Sequence, residues 1–281
     1  MASHRVYRYT SIGRPLDPQF QTNRAVLILL PLAAVLGAVL AVMDDRGGAE
    51  IASQAASFAL IVFGAWALAR ELDPDDNVAA FIGMAVALYA AVTVIEPGIL
   101  IVFATLGLVR IVNRTTGLKA RISDSIVVML LTFWVIYSTQ SPLFGTVAAI
   151  AFMLDGSLKD PIRHQWVFGL VCLGGTIVYM VDHDLGLLHL SAPDSLFEWL
   201  TLLFLLIFAL DTLLLKKVHS VADVGGTRLD LARVRGGMAV GLLAALQALD
   251  RPDQVVVIVC AIAGIGIGIA FRKGFKVPAT G

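Results

Sequence analysis

NVAAFIGMAVALYAAVTVIEPGILIVFATLGLVRIV, residues 77–112, decides the fold. Within it only Glu96 and Arg110 carry charge. A segment this apolar has to satisfy its own backbone N–H and C=O groups in hydrocarbon, which a helix does within one stretch of chain. One crossing of a core about 30 Å thick takes about 20 residues, and these 36 are too many for it. Glu96-Pro97-Gly98 lies near the middle, where proline removes a backbone donor and glycine favours a turn. The stretch therefore reads as a tight helical hairpin.

The same logic extends outward. Residues 125–155 are broken by Gln140-Ser141-Pro142, since proline also disfavours helix in the residue before it, and form a second hairpin. Further apolar runs bring the set to ten helices, at about 25–43, 51–70, 77–95, 98–112, 125–139, 142–155, 165–181, 195–214, 234–249 and 254–271. A chain that is 58% hydrophobic and 15% charged lies outside the range of soluble globular domains. The expected fold is all-α: a polytopic transmembrane helical bundle of about ten spans. Residues 25–271 form a single transmembrane domain between a polar arm, 1–24, and a tail, 272–281.

Charge placement orients the bundle. Of 21 Lys and Arg residues, 19 fall on the side that holds both termini, and only Arg46 and Arg251 fall on the other. By the positive-inside rule both termini are cytoplasmic, and the expected location is a bacterial cytoplasmic (inner) membrane. The first apolar run has no small-residue cleavage site after it, so it reads as a retained span. Balanced acidic and basic totals give no support for nucleic-acid binding. Cys172 and Cys260 lie in apolar runs and behave as small hydrophobes. A faint repeat pairs Leu118-Lys119 with Leu158-Lys159. The fourth to sixth spans are short, and continuing them as helix would carry Arg110, Asn113, Asp155 and Lys159 to the inner interface together.

Three inner junctions hold residues suited to chemistry. The first, Arg70-Glu71-Leu72-Asp73-Pro74-Asp75-Asp76, is acidic on a face that is otherwise basic. Interfacial carboxylates suit Mg²⁺, which keeps waters for phosphate oxygens, so Asp73, Asp75 and Asp76 are the candidate metal ligands. The plainer alternative is a solvated loop in which Asp75 or Asn77 caps the next helix. The second junction offers Arg110, Asn113, Arg114 and Lys119, because a guanidinium fork matches phosphate oxygens. The same basic residues also serve topology and anionic lipid headgroups, and Asp124 reads as the start cap of the fifth helix. The third offers Lys159 as a further phosphate ligand and Asp155 as a candidate general base, against a solvated helix end. Asp211, late in the eighth span, is a candidate substrate contact by its depth.

Asp182-His183-Asp184 with His189 has zinc-ligand types in an irregular spacing, and a solvated loop is the expectation. Gly264 with Gly268 and Gly237 with Gly241 mark close helix packing, while Trp134, Tyr137, Trp166 and Trp199 suit interfacial anchoring. Taken together, the junctions point to a membrane-embedded, Mg²⁺-dependent enzyme acting on a lipid- or prenyl-linked phosphate, with membrane lipids around it. The other classes are a secondary transporter and a non-catalytic subunit of an oligomer or membrane complex.

Overall fold

The computed structural model describes residues 6–93, 98–188 and 192–275, with side chains described to Arg272. Glu96, Pro97, His189 and Lys276 lie outside the described residues. The described chain is all-helical apart from one isolated antiparallel bridge, Val221 to Arg228. Ten α-helices follow in order: α1 Gln21–Met43, α2 Gly48–Leu72, α3 Asn77–Thr93, α4 Ile99–Asn113, α5 Ile122–Thr139, α6 Pro142–Asp155, α7 Gln165–His183, α8 Leu196–Leu214, α9 Leu231–Ala245 and α10 Pro252–Phe275. A 3₁₀ turn, Leu246–Leu249, joins the last two.

Six of these helices, α1, α2, α5, α7, α8 and α10, are long and apolar enough to cross a membrane. At about 1.5 Å per residue α1 reaches about 35 Å, whereas α4 reaches only about 22 Å. The outward faces of α1, α5, α7 and α8 expose large apolar side chains such as Ile28, Leu130, Val178 and Leu213. Exposure on this scale is compatible with an integral membrane protein whose surface is covered by lipid.

At the centre, α4 packs on α2, α5, α6, α9 and α10, and α10 lies along α3. The α3–α10 contact depends on missing side chains. A Cβ on Gly264 would come within 2.6 Å of the Ala79 carbonyl oxygen, and one on Gly268 within 2.8 Å of Ala79 Cβ. Gly237 likewise gives room to the Asn113 side chain and Gly241 to Leu72, so all four glycines act as the sequence predicts. Cys172 and Cys260 are free and buried. Trp134, Tyr137, Trp166 and Trp199 are exposed on the outer surface of the bundle.

The helix ends depart from expectation in two instructive places. The fourth and sixth helices do not run on past their apolar stretches. α4 stops at Asn113 because Arg114 takes the left-handed conformation, with φ 52°, and α6 stops at Asp155. The fifth is not short, because it begins at Ile122 and runs for 18 residues. Asp124 then falls inside the first turn of α5, where it accepts the backbone N–H of Ser11 at 2.6 Å instead of capping its own helix. A carboxylate in the first turn still favours the helix dipole, and here it also fastens the N-terminal arm.

Candidate functional site

At one end of the bundle α2, α4, α6, α8 and α10 finish, and α1, α3, α5, α7 and α9 begin. The polar junctions meet there. The sequence leaves three fates open for the carboxylates of residues 71–76: solvation, a bound cation, or pairing with the basic junctions. Among the described residues, pairing dominates.

Glu71 is fully buried one residue from the end of α2. A carboxylate at a helix C-terminus faces the negative end of the macrodipole, and an unpaired ion out of water is costly, so it needs strong partners. Arg110 Nε donates to its Oε1 at 2.9 Å, Arg14 Nη1 donates to the same oxygen at 3.1 Å, and the Thr115 hydroxyl donates to Oε2 at 2.7 Å. Asn113 Nδ2 donates to the Glu71 backbone carbonyl at 2.7 Å, closing one of the open carbonyls at the helix end. Arg14 continues outward to Asp223 with two bonds of 2.7 Å, a fork-to-fork pair. The two carboxylates hold the Arg14 guanidinium in its protonated form more firmly than usual, against the cost of its burial.

Asp155 repeats the arrangement at the end of α6. It is also fully buried, with Arg114 Nε at 2.9 Å and Arg233 Nη1 at 2.7 Å on Oδ1. Arg233 spans further, to the Val112 carbonyl at 2.9 Å and, through Nη2, the Lys159 carbonyl at 2.6 Å. Arg110 and Arg114 lie four residues apart, so the end of α4 joins both carboxylate centres. Asp155 is therefore neither solvated, as a plain helix end would be, nor a ready base: its charge is held by two guanidiniums.

The remaining predicted residues sort into smaller groups. Lys119 reaches Asp160 at 2.7 Å, and this hydrogen bond does most to hold the Asp160 carboxyl below the usual range. Lys159 stands 3.8 Å from Asp230. Asp75 accepts the backbone N–H groups of His219 and Ser220 at 2.8 Å each and pins the loop between α8 and α9. Asp76, not Asp75 or Asn77, caps α3, accepting from Val78 and Ala79. Asp73 and Asp76 share the Arg272 guanidinium at 3.2 and 3.0 Å. Burial pushes the Asp73 carboxyl up to about 6, opposed by Arg272 and reinforced by Asp76 and Asp211. The candidate metal ligands Asp73, Asp75 and Asp76 thus face Arg272, the loop backbone at His219 and Ser220 and the first turn of α3, and no group of three or more His, Cys, Asp or Glu that could hold a metal gathers among the described residues.

Sequence reasoning missed the N-terminal arm. It lies across this end of the bundle, with the Ser11 carbonyl taking the Thr116 hydroxyl at 2.6 Å and the Ile12 carbonyl taking Arg110 Nη1 at 3.1 Å. The backbone N–H groups of Asp223 and Val224 pair with the Thr115 and Thr116 carbonyls, and Gly117, at φ +79°, lets the chain pass beneath Val224. Serine, arginine and glycine in residues 11–14 were the available signal, but an arm rich in arginine reads first as a topology determinant.

Between arm and bundle lies a cavity of about 340 Å³. Phe20 and Leu16 close it from the arm side, Phe63, Trp66 and Ala67 from α2, with Arg70 and Glu71 at its polar margin. Arg70 differs from Arg14 and Arg110, the other two arginines that line the cavity. Its guanidinium lies 5.5 Å from the centroid of the Trp66 ring and 3.4 Å from the Thr22 hydroxyl, with no carboxylate within 4.0 Å among the described residues. Trp66 is 5% exposed, and its indole N–H has no hydrogen-bond acceptor among those residues. Comparison with family models, curated proteins and solved structures returns no match for this chain.

Proposed function

We propose that this chain is a polytopic protein of the cytoplasmic membrane, with both termini inside, that binds an amphiphilic molecule beneath its N-terminal arm. The placement of 19 of the 21 Lys and Arg residues supports the orientation. The observation that carries the binding reading is the cavity itself. It joins an aromatic wall, Phe63 and Trp66, to a polar margin of Arg70, Glu71 and Arg110 at the ends of α2 and α4. Its 340 Å³ lies in the range of small-molecule sites, which combine apolar walls with a few fixed polar groups.

The same geometry favours binding over hydrolysis. Glu71, the acid at the margin, is committed to two arginines, so no free base stands against the cavity from that side. Arg110, Arg114 and Lys119 are committed to Glu71, Asp155 and Asp160, which makes them builders of the surface.

Native mass spectrometry of protein released from membranes tests the proposal. One lipid-sized adduct per chain is expected, and it should be lost in Asn23→Trp, which fills the cavity from its half-buried rim. Equal adduct occupancy in parent and variant, with matching thermal midpoints, would refute it.

A further inference from the structure

Arg70 and Trp66 present a second, finer problem. Six charged residues line the cavity, Arg14, Arg70 and Arg110 against Asp17, Glu71 and Asp223, so no bulk field selects a ligand there. Selection has to be local. Arg14 is taken by Glu71 and Asp223, Arg110 by Glu71, and Asp17 accepts the backbone N–H of Gln19 at 2.9 Å. What is left over on the α2 wall is donors. Arg70 has five N–H groups and only the long contact to Thr22, and the buried Trp66 indole N–H has nothing. The two lie together, one helical turn apart, with the guanidinium over the ring.

We infer that Arg70 and Thr22, with the Trp66 ring beneath the guanidinium, form the recognition site for a phosphate group, whose oxygens take the Arg70 N–H groups that no carboxylate occupies among the described residues. This deepens the amphiphile reading and rests on it. A guanidinium fork matches two phosphate oxygens at once, a third oxygen is left for the Thr22 hydroxyl, and Phe63 and Phe20 take the apolar part of the molecule. Stacking on Trp66 holds the fork in place before the ligand arrives, which lowers the entropy lost on binding. The three residues come from α1 and α2, whose ends meet here, and the arm closes the cavity over them. None of them belongs to the two buried carboxylate centres, so altering them leaves the ion-paired surface intact.

Binding of three probes to the full chain in nanodiscs tests the inference: short-chain phosphatidic acid, diacylglycerol with the same chains, and inorganic phosphate. Phosphatidic acid is expected to bind at least about tenfold more tightly than diacylglycerol, and Arg70→Gln should remove most of that preference. Arg70→Lys should restore part of it, because the charge returns without the fork. Trp66→Phe should weaken phosphatidic acid and leave diacylglycerol unchanged, which a purely structural role would not do. Inorganic phosphate binding that depends on Arg70 supports the inference with a free anion as the source; binding of phosphatidic acid alone supports it with a lipid headgroup. If phosphatidic acid and diacylglycerol bind equally and Arg70→Gln changes neither, the phosphate site is wrong while the amphiphile cavity stands. If none of the probes binds and Asn23→Trp makes no difference, both fall.

Discussion

Replacing Glu71 by glutamine tests the ion-paired surface directly. The amide keeps the shape of the side chain and can still accept from Arg110, so little packing is lost; what goes is one negative charge at a site with no solvent exposure. Arg14 retains Asp223, at 2.7 Å through two bonds. Arg110 loses its only carboxylate among the described residues and is left with neutral acceptors, the amide and the Ile12 carbonyl at 3.1 Å. Leaving one partner of a buried pair uncompensated costs about 3–5 kcal/mol. For a chain of this size that corresponds to a fall of roughly 6–20 °C in the thermal midpoint. Asp223→Asn is the matched control. Asp223 is a quarter exposed and Arg14 keeps Glu71, so its loss should cost about 1 kcal/mol or less. Removing both charges at once, as Glu71→Met with Arg110→Met, should recover much of the single-mutant loss, because an apolar pair of similar volume avoids the desolvation cost. The assay is thermal unfolding of the three variants in one detergent. A Glu71→Gln midpoint within about 2 °C of the parent, or losses equal to those of Asp223→Asn, would refute the claim that this buried carboxylate holds the surface together.

Two further outcomes follow from other parts of the molecule. The Asp73 carboxyl, pushed from its ordinary 3.8 up to about 6, takes up its proton more readily folded than unfolded, so stability should fall as pH rises between those values, by about 3 kcal/mol at most; unfolding measured across pH 4 to 7 should show this decline in the parent and a flatter profile in Asp73→Asn. A Cβ at Gly264 would meet the Gly83 Cα at 2.5 Å, backbone that cannot turn aside, so Gly264→Val should force α3 and α10 apart and cost about 3 kcal/mol or more in the same unfolding assay, while Gly174→Ala, with nothing within 4 Å, should change stability by less than about 1 kcal/mol.

Much of the helix layout was legible because hydrocarbon leaves the backbone few choices. Apolar runs had to become helices, and the proline at residue 142 begins α6 at the position the sequence assigns. The ends were harder. Helix α9 starts three residues before its apolar run because Asp230 caps it through the Ala232 and Arg233 N–H groups, and a polar first turn carries no hydropathy signal. The excess of acid in residues 71–76 did flag a junction that needs partners. Which acid mattered was not legible. Glu71 sits among four carboxylates of similar appearance, and only the turn of α2 buries it while Asp75 points to a loop backbone. Arg14 and Arg233 looked like orientation signals, since a sequence gives no sign that residues 57 and 78 positions away will claim them. Arg70 counts in the sequence for its charge, and that it meets the Trp66 ring and no carboxylate among the described residues is visible only in three dimensions.

The pairing at the ends of α2 and α6 also sets an order of assembly during synthesis. Arg14 precedes Glu71, but Arg110 follows it by 39 residues, so the first centre can close once α4 has emerged. Asp155 can meet Arg114 early, yet its second guanidinium, Arg233, arrives 78 residues later at the start of α9. Asp73 waits longest, 199 residues, for Arg272. A nascent chain halted before α9 therefore carries incompletely paired acids on this surface, and incompletely packed intermediates of this kind are prone to misassembly. Helix α10 supplies, through Arg272, the charge that Asp73 and Asp76 share on this surface.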